Sequence, residues 1–271
     1  MKTILVPIDF SSTSQNIAEY AAGFAEFTNA RLILFHVYSV PVPMAGVSVS
    51  MMPLEKIEEA NITQLNAFNE ILMDKYPDVN IVMITRAGFV TEEILLILEE
   101  QKIDIVIMGI GSRGKEGVLG SNTADVMKNA KCPVLTIHEG VQFKKPEKIA
   151  LACDYSSIMP DAVVGKFKDV VHLFNSDVLV FDMLKRSEMV TYEKAAAEVK
   201  LENSLIGIGH SMHYPSGDDL PEETNHFVEQ NNVDMLVMIP HNYPFLKSVF
   251  HHSATKEMAF KSKVPLLSIH E

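Results

Sequence analysis

The sequence lacks several features that would place it in a specialised class of protein. It has no tryptophan and only two cysteines, Cys132 and Cys153, in 271 residues. Two cysteines build no disulfide framework, so we expect a reducing compartment, the cytoplasm. No apolar run reaches the roughly 18 residues of a membrane-spanning helix. The apolar run at the amino terminus is also too short for a signal peptide, because Asp9 interrupts it. We therefore expect neither export nor a membrane partner.

Basic residues are also scarce. The chain carries 23 lysines and arginines against 35 aspartates and glutamates, a formal net charge of −12. Nucleic acids bind surfaces with an excess of positive charge, so we expect no nucleic-acid partner. The hydrophobic share of 47% is typical of a folded chain and excludes a disordered one. A chain of this length is more typical of two domains than of one.

Four segments of the first half recur in the second half in the same order. A repeat of this length corresponds to a whole domain, and the segment EGVQFKKPEK between the copies has the composition of a linker. The sequence therefore predicts two domains, residues 1–142 and 143–271. The matching segments are ILVPIDFSS (4–12) with IALACDYSS (149–157), NARLILFHV (29–37) with NSDVLVFDM (175–183), KIDIVIMG (102–109) with NVDMLVMI (232–239), and CPVLTIHE (132–139) with VPLLSIHE (264–271).

The first copy alternates short β-branched runs with longer segments of helical periodicity. This pattern is typical of βαβ units around a parallel sheet, whose ligands lie beyond the carboxyl ends of the strands. We expect the first helix to begin in a capping box formed by Ser12 and Gln15 and to end at Asn29. The predicted strands are Ile4 to Ile8, Leu32 to Val37, Ile81 to Thr85, Ile105 to Met108 and Val134 to His138.

Residues 108–123, MGIGSRGKEGVLGSNT, form a glycine-rich loop before a predicted helix. Glycines let backbone N–H groups approach a phosphate, and the amino terminus of the following helix adds free donors. A phosphate site is therefore our leading interpretation, and a surface loop that ends in a helix cap is the alternative. The loop fits a P-loop poorly, because Glu116 stands where a Ser or Thr is needed. It also fits a G-x-G-x-x-G fingerprint poorly, because Gly117 and Gly120 delay the helix.

Five segments together resemble the universal stress protein family, in order and at suitable spacing. This resemblance implies an α/β fold of two tandem doubly wound domains, each with a five-stranded parallel sheet in the order 3-2-1-4-5, similar to the adenine nucleotide alpha hydrolase fold. It spans the whole first copy and extends more faintly to the second. The segments are VPIDFS (6–11), HV (36–37), DIVIMG (104–109), GSNTADV (120–126) and CPVL (132–135).

The resemblance also implies a binding site for ATP, ADP or AMP, with or without Mg²⁺. In nucleotide-binding members the Asp after strand one contacts adenine, the Val after strand two lines the adenine pocket, and the glycine loop with its Ser surrounds ribose and phosphates. The loop here is two residues shorter than the family pattern, so Gly111 or Gly114 must serve as its second glycine. Helix capping is a second explanation for Asp9. The candidate residues are Pro7, Ile8, Asp9, Val37, Met108, Gly109, Gly111, Gly114, Gly120, Ser121 and Asn122.

The second copy retains an aspartate, Asp154, at the position of Asp9 but no glycine of the loop. Tyr243, Leu246 and His252 stand at the positions of Gly111, Gly114 and Gly120. We therefore expect one nucleotide site per chain. Eight of the ten histidines lie in this copy, which suggests a metal site at His241, His251 and His252, but no Cys or Glu stands at metal-ligand spacing. We therefore predict no metal ligands.

The nucleophile motifs G-x-S-x-G, C-x-x-C and H-E-x-x-H are absent from the sequence, and we predict no catalytic residue. The expected function is that of a cytoplasmic stress-response protein in which an adenine nucleotide acts as a ligand-dependent switch. Its partner would be its own second domain or a second chain. Two other functions stay open: a dimerising scaffold without nucleotide, and a sensor of a small molecule or metal through the second copy.

Overall fold

The structure is a computed structural model that describes residues 1–40, 53–110, 121–153, 159–182, 192–215, 220–239, 262 and 264–269. The chain divides into two compact units. Unit 1 comprises Met1–Gly109 and Glu139–Phe143, and unit 2 comprises Ile110–His138 and Lys144–Glu271. The domain boundary at residue 142 was drawn from the repeated sequence, and it stays a prediction.

Unit 1 contains a parallel sheet in the order β3-β2-β1-β4. Its central strand β1 buries Ile4, Leu5 and Val6 completely, as expected for a strand that is covered on both faces. The four strands predicted here from β-branched runs are confirmed, with their ends displaced by at most two residues. The elements are β1 (Thr3–Ile8), α1 (Ser12–Thr28), β2 (Arg31–Tyr38), α2 (Leu54–Lys75), β3 (Ile81–Ala87), α3 (Val90–Glu100) and β4 (Ile105–Gly109).

Unit 2 contains a sheet in the order β5-β10-β9-β6-β7-β8. The five strands of the second copy therefore follow the predicted order 3-2-1-4-5, and they pair in parallel. Strand β5, from the first copy, pairs with β10 in antiparallel fashion. The elements are α4 (Ser121–Asn129), β5 (Val134–Ile137), β6 (Lys148–Ala152), α5 (Asp161–Phe174), β7 (Asp177–Phe181), α6 (Tyr192–Ser204), β8 (His210–His213), α7 (Leu220–Gln230), β9 (Met235–Met238) and β10 (Leu266–Ser268).

Helix α1 begins one residue earlier than the sequence predicts. The N-cap is Ser11, whose side chain accepts a hydrogen bond of 3.2 Å from the Ser14 backbone N–H. Ser12 is instead the first helical residue, and its hydroxyl donates to Glu139. The predicted end at Asn29 is confirmed, because this residue adopts a left-handed conformation with φ of 51°. Asparagine tolerates that conformation better than most residues.

Among the residues that the structure describes, no helix combines the length and the apolar character needed to cross a bilayer.

The position of the cap predicts an asymmetry between two adjacent serines. Ser11→Ala removes the acceptor for the Ser14 N–H, so we expect the free energy of unfolding to fall by about 1 kcal/mol. Ser12→Ala removes only an exposed hydrogen bond to Glu139, and we expect a loss below about 0.5 kcal/mol. Urea denaturation followed by circular dichroism measures both values. Equal losses in the two variants would contradict this assignment of the cap.

Candidate functional site

The carboxyl ends of strands β1, β2 and β4 lie at one edge of the sheet of unit 1, where ligands bind in doubly wound folds. Six of the eleven predicted site residues lie at these strand ends. Asp9 is exposed, which leaves its carboxylate accessible from solvent. Of the other five, Ile8 and Met108 are buried, and Pro7, Val37 and Gly109 are half-buried. The six residues are Pro7, Ile8 and Asp9 at the end of β1, Val37 near the end of β2, and Met108 and Gly109 at the end of β4.

Asp9 is held by the turn that joins β1 to α1. One of its carboxylate oxygens accepts hydrogen bonds from the backbone N–H of Ser11, at 3.1 Å, and from the Ser11 hydroxyl. The intervening Phe10 has a φ of 60°, a conformation that few non-glycine residues adopt. Asp9 therefore supports the capping serine and is not the cap itself, which corrects the second explanation that the sequence suggested for it.

A chain of polar contacts fixes the end of β1 behind this turn. The Nδ1 atom of His36 lies 2.7 Å from the Ile8 carbonyl oxygen, so it carries a proton and donates. The Nε2 atom of His36 lies 2.9 Å from Oδ1 of Asn61 in α2. The ring of Phe10 packs on the His36 ring at a centroid distance of 4.3 Å. Backbone and side chains at the end of β1 are thus anchored to both β2 and α2.

Sequence reasoning missed Phe10 and Asn61 as parts of this site. It recognised His36 only as one half of the HV pair. The positive φ of Phe10 could not be predicted from the sequence. Glycine and asparagine are the residues that usually adopt a positive φ, and phenylalanine rarely does. Asn61 lies on the mostly exposed helix α2, and its role follows only from the packing of that helix against β2.

Gly109 lies where a side chain would crowd helix α1. A Cβ atom added at this position would lie 3.0 Å from Cγ1 of Ile17 and 3.1 Å from Cγ2 of Thr13, both in α1. Both contacts are with β-branched side chains, which have few alternative rotamers. The glycine therefore permits a close approach between the end of β4 and the first two turns of α1, in addition to the phosphate contact predicted from the sequence.

The first turn of α1 is surrounded by carboxylates. Glu139 accepts hydrogen bonds of 3.0 Å from the hydroxyls of Ser12 and Thr13, and Asp9 accepts from Ser11. Negative charge is favourable at the amino terminus of a helix, so both residues stabilise α1. The same charges would repel a phosphate at this place. This end of unit 1 is suited to a ligand group that donates hydrogen bonds, such as the amino group of a base.

The remaining predicted residues belong to the glycine loop and the helix that follows it. Gly111, Gly114 and Gly120 lie outside the described residues. Ser121 and Asn122 are exposed and form the start of α4, in unit 2. Neither the first turn of α4 nor that of α1 contains an acidic residue.

The histidine-rich second copy shows no metal site in the part of the chain that the structure describes. His210 and His213 of β8 are engaged locally: Nδ1 of His210 contacts the Ile208 carbonyl at 2.9 Å, and Nε2 of His213 contacts the Ser211 hydroxyl at 2.8 Å. Asp154, Tyr243, Leu246 and the candidate ligands His241, His251 and His252 lie outside the described residues.

The packing at Gly109 predicts a stability defect that does not depend on any ligand. Gly109→Ala should lower the free energy of unfolding by about 1–3 kcal/mol, because the new methyl group overpacks against α1. Thr13→Ser removes the Cγ2 atom that lies 3.1 Å from the added Cβ, and combining it with Gly109→Ala should recover part of that loss. Ile17→Val removes only the Cδ1 atom at 3.4 Å and should recover less. Thermal denaturation without ligand measures the effect. A Gly109→Ala variant as stable as the parent chain would contradict the close approach.

Comparison with known proteins identifies the family to which the chain belongs. The model of the universal stress protein family matches residues 1–138. A universal stress protein of Methanocaldococcus jannaschii is 30% identical over 157 residues, an alignment that covers 50% of this chain and 94% of the relative. A universal stress protein A homolog of Coxiella burnetii is 27% identical over 144 residues, with 50% and 95% covered.

The fold of the whole chain is also found among solved structures. A universal stress protein from Archaeoglobus fulgidus superimposes with a TM-score of 0.72 at 19% identity, covering 99% of this chain and 96% of that one. A structure from Pseudomonas aeruginosa, described as a putative universal stress protein, gives a TM-score of 0.64 at 12% identity, with 100% and 93% covered. At these identities the likeness establishes the fold alone. On the match to residues 1–138, the chain belongs to the universal stress protein family.

Proposed function

We propose that the first copy of the repeat binds ATP or a related adenine nucleotide, ADP or AMP, and that the bound nucleotide acts as a switch in a cytoplasmic stress response. The observation that carries this proposal is the turn at the end of β1, which holds the Asp9 carboxylate at the exposed edge of the sheet. Because this carboxylate is already fixed, it loses little conformational entropy when it accepts a hydrogen bond from a ligand. Such preorganisation favours binding.

The adenine end of the nucleotide is assigned to the strand ends of unit 1. Asp9 accepts a hydrogen bond from the exocyclic amino group, Pro7 and Ile8 flank the base, and the backbone of Val37 lines the pocket. The contacts of His36 with Ile8 and Asn61 keep this edge rigid. The carboxylates at the first turn of α1 favour an amino group there and disfavour phosphate.

The ribose and phosphate end is assigned to Met108, Gly109, the loop glycines Gly111, Gly114 and Gly120, and then Ser121 and Asn122. This assignment rests on the sequence. Backbone N–H groups and a helix amino terminus are the donors that phosphates prefer. Mg²⁺, where the nucleotide brings it, is held chiefly by phosphate oxygens.

The proposed activity is binding rather than catalysis, since the sequence contains none of the nucleophile motifs sought. A nucleotide that is bound and not consumed acts by stabilising one conformation or one assembly relative to another. The partner in such a switch is the second copy of the repeat or a second chain.

The proposal predicts that Asp9 determines base selectivity. Guanine presents a carbonyl oxygen where adenine presents an amino group, so GTP should bind at least about tenfold more weakly than ATP. Asp9→Ala should weaken ATP binding by about tenfold and leave the affinity for GTP almost unchanged, which removes the discrimination. Isothermal titration calorimetry with both nucleotides, in the presence and absence of Mg²⁺, measures the two affinities.

Asp78→Ala is the matched control, because it removes an exposed carboxylate beyond the end of α2. It should bind ATP and GTP as the parent chain does. Failure of the parent chain to bind any nucleotide at millimolar concentration would reject the proposal and favour a scaffold role. An Asp9→Ala variant that retains the preference for ATP would reject the role of Asp9.

A further inference from the structure

Unit 1 contains a second concave site, on the outer face of α1. This cavity of about 500 Å³ is bounded by α1, by the end of α2 and by the segment 141–143. Cavities of this volume accommodate small organic molecules. The cavity shares no lining residue with the proposed nucleotide site.

Tyr20 is a buried polar side chain in the wall of this cavity. Tyr20 lines the cavity and is 2% exposed, yet its hydroxyl has no hydrogen-bond partner within the described ranges. Burial raises the pKa of this phenol far above its usual range, so the group is a neutral O–H with free acceptor capacity as well. Among the described residues, the fully buried side-chain oxygen and nitrogen atoms without a hydrogen-bond partner do not include the Tyr20 hydroxyl, so this oxygen is reachable from the cavity and can bond a molecule that enters it.

The cavity carries an uncompensated negative charge. Glu19 and Glu26 lie two turns apart on α1, and both line it. Lys75 pairs with Glu19 at 2.8 Å, whereas Glu26 makes no ion pair with any residue that the structure describes. Burial raises the pKa of Tyr76, the charges of Glu19 and then Glu26 raise it further, and the charge of Lys75 lowers it. The lining contains two glutamates and one lysine, a formal charge of −1, which disfavours an anionic ligand.

Aromatic rings supply the apolar walls. The Phe143 ring lies 5.5 Å from that of Tyr20 and 5.8 Å from that of Phe27. Gly23 makes room for Phe143, because a Cβ atom there would lie 3.1 Å from the Phe143 Cβ. Asn16 fixes the same segment, as its side chain accepts from the Gly140 N–H and donates to the Val141 carbonyl. Rings held in this way attract a cation to their faces.

We propose that this cavity binds a small organic monocation that carries a primary ammonium group on an apolar body. The ammonium group neutralises the charge of Glu26 and donates to the Tyr20 hydroxyl oxygen. The apolar body packs against Phe27, Tyr76 and Phe143. A neutral ligand of the same shape leaves the carboxylate charge uncompensated and binds more weakly.

A pair of nearly isosteric probes tests this proposal on the full chain. 2-Phenylethylammonium and 2-phenylethanol are titrated separately and followed by ¹⁵N chemical shifts. The ammonium probe should give saturable shifts at the amides of Gly23, Val141 and Phe143, with an affinity at least about tenfold above that of the alcohol. Equal affinities for the two probes, or no saturation below about 10 mM ammonium probe, would overturn the proposal.

Two substitutions identify the groups involved. Glu26→Gln should weaken binding of the ammonium probe by at least about fivefold, whereas Glu59→Gln, at an exposed position on α2 outside the cavity, should leave it unchanged. Tyr20→Phe should weaken binding about threefold without lowering the melting temperature of the unliganded chain, because the hydroxyl that it removes is unpaired. Equal effects of the two glutamate variants, or a lower melting temperature in Tyr20→Phe, would contradict the assignment.

Discussion

The hydrogen bonds between Asp9 and Ser11 are the interaction on which the candidate site depends. They close the turn between the most buried strand of unit 1 and the helix that packs on it. Through this turn one carboxylate orients the capping serine, sets the first residue of α1 and holds its own oxygens at the open edge of the sheet. Helix capping and presentation of a ligand group are therefore one structural feature. Behind the turn, Phe10 packs against His36, and His36 donates to the Ile8 carbonyl. These contacts limit the conformations that the turn can adopt.

The second constraint is the close approach of α1 to the end of β4. Helix α1 buries Ala18, Ala21, Ala22 and Ala25, small side chains that let the helix lie near the sheet. At the end of β4 a methyl group would lie only 3.0 Å from Ile17 Cγ1 and 3.1 Å from Thr13 Cγ2, so these side chains would have to shift. A glycine that reads in the sequence as part of a phosphate loop thus has a packing role before any ligand is considered. Loss of binding in a Gly109 variant is informative only when its stability is known.

Strands and helix ends could be predicted where a short stretch of sequence is enough to determine them. Alternating β-branched runs located β1 to β5, and Asn29 ended α1 in the left-handed conformation that asparagine tolerates. The start of α1 was not predictable, because SSTSQ offers adjacent serines as caps and the choice depends on Asp9 and on the distant Glu139. The antiparallel pairing of β5 with β10 had no local signal either, since both segments read simply as buried strands. The cavity at Tyr20 arises from tertiary contact with Phe143, in a segment whose composition indicated only a linker.

Negatively charged side chains determine which ligand groups unit 1 can bind. The first turn of α1 is bonded to Asp9 and Glu139, and the outer face of the same helix carries Glu19 and Glu26 with one compensating lysine. Both places favour groups that donate hydrogen bonds: the amino group of a base at the proposed nucleotide site, and an organic ammonium group at the proposed cavity site. Neither place suits a phosphate, because a second anion there would meet carboxylates at short range. A nucleotide bound through Asp9 must therefore direct its phosphates away from the first turn of α1. In the proposed nucleotide site, the sequence assigns the phosphates to the glycine loop and to the first residues of α4.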